Sequence, residues 1–115
     1  MALYTQLGRS LESANAVTRF VVNLKENDRQ DAGYLSDQML VQAFYNTYRD
    51  GSVAAKLTDP QINALMIPLS KNTQGFHNYR ELLVHTFGAE KGQQYFLMDR
   101  HQLETEASGA TGRSS

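Results

Sequence analysis

The sequence predicts an all-α protein, a compact bundle of four to five helices with a disordered C-terminal tail. Three observations support this: apolar residues recur at three- and four-residue spacing in several segments, cap and stop residues bracket most of them, and the chain ends without large apolar side chains. A chain of 115 residues, 41% of them hydrophobic, is long enough to bury roughly two thirds of its unfolded surface around one core. We expect one domain over residues 1–103 and a flexible tail over 104–115.

From Ser10 to Asn27, Ala14, Val17, Phe20, Val21 and Leu24 recur at helical spacing, with Glu12, Asn15, Arg19 and Asn23 opposite. This predicts the first helix. The polar run from Glu26 to Gly33 then reads as a solvated connector, with Asp28 and Asp31 as loop carboxylates flanking Arg29.

The stretch from Leu35 to Gly51 is the organising helix. Ser36 can cap its first free amides, Gly51 supplies a left-handed stop, and Leu35 and Leu40 have the spacing of a hydrophobic staple. At about 100° per residue, Leu40, Val41, Ala43, Phe44, Tyr45, Thr47 and Tyr48 fan over roughly half the circumference, wider than the stripe of a surface helix. Such a face needs neighbours on more than one side.

Residues Ser52 to Leu57 suffice for one or two helical turns. A firmer start follows at Thr58, with Gln61 three residues on, Pro60 in the first turn, and Leu57 and Ile62 at staple spacing. Ile62, Leu65 and Met66 form its expected buried face, and Pro68 ends it. Ser70 to Gly75 is loop by composition, after which Phe76, Tyr79, Leu82, Leu83, Thr86 and Phe87 mark a helix that Gly88 stops. The run Tyr95 to Met98 is ambiguous by periodicity, but its helix-forming flanks favour a helix from Ala89 to Leu103.

Several function classes fall away on composition. Without cysteine there are no disulfides, thiolate nucleophiles or thiolate metal ligands, and no oxidising compartment is needed. The opening residues lack a basic, apolar leader, and no long apolar run spans a bilayer, so the expected location is the cytoplasm with no membrane partner. A net charge of −1 generates no field toward nucleic acid.

Chemistry-bearing patterns are few. His77, Glu81 and His85, each four apart, would share one helix face, yet the apolar residues project oppositely, so the trio reads as a solvated face rather than a metal site. Truncating either histidine should then cost little. Asp99, Arg100 and His101 with Glu104 and Glu106 lie where the fold gives way to the tail, which cannot hold catalytic geometry. No phosphate-cradling glycine loop, nucleophile elbow or dinucleotide fingerprint occurs, so neither a cofactor nor an enzyme of these classes is expected.

The helices around 58–87 invite a helix-turn-helix alternative that would use Lys71 and Arg80 on nucleic acid. Their connection is longer than that motif's turn, and the surrounding charges cancel. The expectation is therefore a non-catalytic protein-binding module, an adaptor, regulator or inhibitor, engaging another protein or itself as a homodimer. Tyr45, with neighbouring Met39 and Tyr48, is the expected contact because aromatic and Met side chains are enriched at interface centres.

Overall fold

The computed structural model describes residues 2–28 and 32–107. In chain order the elements are α1 (Ala2–Ser13), α2 (Val17–Glu26), β1 (Tyr34–Leu35), α3 (Asp37–Tyr48), α4 (Asp59–Met66), β2 (His77–Asn78), α5 (Tyr79–Phe87), α6 (Ala89–Leu97) and α7 (Arg100–Ala107). Among the described residues the protein is all-α apart from a short antiparallel pairing of Tyr34 with Asn78 and Leu35 with His77 and an isolated antiparallel bridge of Lys71 to His77.

The helix expected from Ser10 to Asn27 is two helices. α1 begins at Ala2 and buries Tyr4, Leu7, Gly8 and Leu11, a helical spacing present in the opening residues. It ends in a Schellman arrangement: Asn15 takes a left-handed φ of 53°, its amide donates to Glu12, and the Ala16 amide donates back to Leu11 at 2.8 Å. Asparagine does here what glycine more often does. α2 restarts immediately and buries Phe20, Val21, Leu24 and Lys25.

α3 and α4 keep their expected boundaries. The Ser36 hydroxyl accepts from the Met39 amide, and both staple residues, Leu35 and Leu40, are fully buried. Gly51, at φ 76°, donates its amide to Tyr48. At Thr58 the box is reciprocal: the Gln61 amide donates to the Thr58 hydroxyl, and Gln61 Oε1 accepts from the Thr58 amide at 2.9 Å. Between them, residues 52–57 form no helix: the segment is irregular, with a bend at Ala54 and Ala55, and places Val53 and Leu57 in the core.

α5 starts three residues later than Phe76. Asn78 caps it, accepting from the amides of Arg80 and Glu81, while His77 and Asn78 pair with β1 instead of joining the helix. The expected helix from Ala89 to Leu103 breaks at Met98, whose backbone is extended, and Asp99 Oδ1 then accepts from the Gln102 amide at 2.8 Å to start α7. α7 carries the fold past Glu104, and Leu103 is fully buried, so residues 104–107 are helical. The rest of the expected tail, 108–115, lies outside the described residues.

α5 is clasped between α1 and α6. A Cβ on Gly8 would lie 2.8 Å from the Thr86 carbonyl oxygen, and one on Gly92 only 2.6 Å from the Leu83 carbonyl and Val84 Cα, so both crossings require glycine. Around this clasp, Tyr4 donates its hydroxyl to the Leu65 carbonyl, tying α1 to α4, and Phe20 packs on Phe44 with ring centroids 5.0 Å apart. Among the described residues, no helix is long and apolar enough to cross a membrane.

Candidate functional site

The outward side of α3 presents Met39, 37% exposed, and Tyr45, 45% exposed, on either side of Gln42. Tyr45 is not a free side chain. Its hydroxyl donates to Asp59 Oδ1 at 2.5 Å, and that hydrogen bond, followed by desolvation and the Asp59 charge, raises the phenol above its ordinary pKa. Asp59 lies in the first turn of α4, where a carboxylate is favoured by the helix dipole, so one contact fixes the ring and joins two helices. Beside it, Asn46 Oδ1 accepts from Gln42 at 3.1 Å and from Arg49 at 2.8 Å, giving the aromatic edge a polar border.

Tyr48, the third expected contact residue, is a core side chain. It is 6% exposed, its ring lies 6.1 Å from that of Phe44, and its oxygen accepts from the Leu57 amide. The wide apolar arc of α3 is thus split: Leu40, Ala43, Phe44, Thr47 and Tyr48 face inward and Tyr45 stays at the edge.

The histidine trio is dispersed. His77 sits on β2 at 4% exposure, its Nε2 hydrogen-bonded to the Asp37 carboxylate of α3 and its Nδ1 buried without a partner among the described residues. The solvated-face expectation therefore fails for His77, because strand pairing removes it from the helix. His85 remains exposed, its ring 5.0 Å from that of Tyr4. Glu81 accepts from the Ser70 amide and hydroxyl, each at 2.8 Å, and these donors, with lesser help from His85 and Arg80, hold its carboxyl below the ordinary glutamate range despite some burial. No cluster of three potential metal ligands occurs among the described residues.

Lys71 is exposed and Arg80 half-buried. They are the sequence neighbours of Ser70 and Glu81, so an ionised carboxylate stands between the segments that carry the two bases, an arrangement that opposes phosphate binding. The turn that a helix-turn-helix needs is replaced by residues 67–78, which include β2.

Two further acidic positions serve structure. Asp28 is no solvated loop residue: at 9% exposure it accepts from the Ala32 amide at 2.8 Å, the Gly33 amide at 2.9 Å and the Tyr79 hydroxyl at 2.7 Å. Asp31 and Arg29 lie outside the described residues. Asp99 exchanges hydrogen bonds with Gln102 as the cap of α7.

One feature escapes sequence reasoning because α1 is not anticipated there. The outer face of α1 and the segment 52–55 bound a groove of about 760 Å³. Its loop wall is pinned by Arg19, which donates to Ser52 Oγ at 2.6 Å and the Thr47 carbonyl at 3.5 Å and pairs with Asp50 at 3.6 Å. The Ser52 amide and hydroxyl, and more weakly Arg19, hold the Asp50 carboxyl below its ordinary value. Compared with family models, curated proteins and solved structures, the chain finds no match.

Proposed function

We propose that this chain is a non-catalytic protein-binding module that engages a second protein, or a second copy of itself, through the outward side of α3. The observation that supports it is Tyr45: a large aromatic, 45% exposed, whose hydroxyl is already anchored on Asp59. An exposed ring that is already fixed loses less side-chain entropy on docking, which is how tyrosine anchors act in recognition surfaces. Met39 offers an adaptable apolar surface on the same helix. We place this activity in the cytoplasm, since a cysteine-free chain needs no oxidising compartment.

The test is association measured by sedimentation velocity across a wide concentration range, beside affinity capture from the native host. Wild-type protein should form a dimer or a defined complex that persists in moderate salt, Tyr45→Ala should lose it, and Asp59→Ala should weaken it by freeing the ring. A monomer without a partner, together with a salt-sensitive shift of oligonucleotides that Arg80→Ala and Lys71→Ala abolish, would replace this reading with the nucleic-acid one.

A further inference from the structure

The groove beside α1 has a composition that selects its ligand. Among the described residues, Arg9 is the one charged residue that lines it, and its guanidinium has no hydrogen bond or ion pair there. The nearby Arg19 is already occupied by Ser52, Thr47 and Asp50. Ala14, Ala54 and Ala55 give the walls methyl groups, Thr5 and Ser13 add hydroxyls, and among the described residues no aromatic side chain lines it to stack a ring. A volume of about 760 Å³ lies within the roughly 300–1,000 Å³ of small-molecule sites. Arg19 and the buried anchors Val53 and Leu57 hold the loop wall, so the groove exists before a ligand arrives.

One unpaired cation cannot neutralise a polyphosphate, and short aliphatic walls without an aromatic platform suit an alkyl chain better than a base or an aryl ring. We infer that the groove binds a medium-chain fatty carboxylate, its carboxylate on the Arg9 guanidinium and its alkyl chain along Ala14, Ala54 and Ala55. This site involves neither Met39 nor Tyr45, so it stands or falls separately from the proposed protein contact.

The experiment is an amide-shift titration of the isotope-labelled 115-residue chain with sodium decanoate below its micelle concentration. Acetate serves as a head without a tail, and decyltrimethylammonium as a tail of the wrong charge. Decanoate should give saturable shifts at Thr5, Ser13 and Ala54, acetate and the cation should not, and Arg9→Gln should weaken binding at least tenfold. Ala54→Trp should abolish it by filling the groove. Both substitutions fall on exposed side chains, and the unliganded spectra report directly that the fold is kept. Failure to saturate, equal shifts from the cationic tail, shifts that map elsewhere, or undiminished binding to folded Arg9→Gln would each overturn the inference.

Discussion

The hydroxyl of Tyr79, first residue of α5, donates a 2.7 Å hydrogen bond to Asp28, 51 positions earlier at the foot of α2. The same carboxylate holds the Gly33 amide, and the Gly33 carbonyl accepts from the Tyr79 amide at 3.1 Å. Asp28, Gly33 and Tyr79 thus close a ring of hydrogen bonds that sets where the chain enters β1 and where α5 begins. Asp28→Ala removes the acceptor of the Tyr79 hydroxyl and of two amides and should cost on the order of 3–5 kcal/mol in urea unfolding, whereas Tyr79→Phe, which leaves the amides satisfied, should cost about 1–3 kcal/mol. Equal, small losses would show that the ring is not a stabilising unit.

Gly92→Ala should be among the most damaging small substitutions in the protein. Its new Cβ would meet backbone atoms of α5 at 2.6 Å, and backbone cannot swing aside as a side chain can. We expect a loss of roughly 3 kcal/mol or more. Gly51→Ala, where only the left-handed φ of 76° opposes the change, should cost about 1 kcal/mol. Thermal melts of the two variants test the ordering.

Phe44→Ala removes a side chain that is 1% exposed and packs on Phe20 and Tyr48, and should cost about 3–5 kcal/mol. His85→Ala should fall within about 0.5 kcal/mol of wild type, as for an exposed position. His77→Ala departs from the solvated-face expectation: it empties a buried site and removes the Asp37 contact, so it should cost about 1–3 kcal/mol. Denaturant midpoints should rise from Phe44→Ala through His77→Ala to His85→Ala.

Leu103 is fully buried although it stands at the expected edge of the tail. Leu103→Ala should cost about 2–5 kcal/mol, and a chain ending at residue 99 should melt well below one ending at 107. Indistinguishable melts would mean that α7 contributes nothing to the core.

Glu81 gives stability an acid limb. Its folded carboxyl titrates below the ordinary glutamate range because the Ser70 amide and hydroxyl donate to it, so the stabilisation is present above the ordinary value and is lost as pH falls through the lowered one. Urea midpoints from about pH 6 to about pH 3 should drop less steeply for Glu81→Gln than for wild type. The difference should be small, since the half-buried carboxyl is still screened by solvent.

What the sequence determined by itself is everything written within about four residues. The cap at Ser36, the reciprocal box at Thr58 and the buried spacing of Ile62, Leu65 and Met66 are local patterns, because a helix satisfies its own backbone over that distance. α1 is a local pattern too, in Tyr4, Leu7 and Leu11 with its stop at Asn15, yet the apolar spacing that predicts a single helix from Ser10 to Asn27 runs across that stop and misses it. Tertiary structure decided the fate of the polar side chains. Asp28 becomes a buried acceptor only because Tyr79 arrives from 51 residues away, His77 leaves its helix only because Leu35 offers a strand partner, and Tyr48 turns inward while Tyr45 is held by Asp59. The groove at Arg9 likewise needs α1 and the loop at Ser52 side by side. A polar group is stable in the interior only when its partners are placed, and where those partners lie is a property of the packed chain rather than of any window along it.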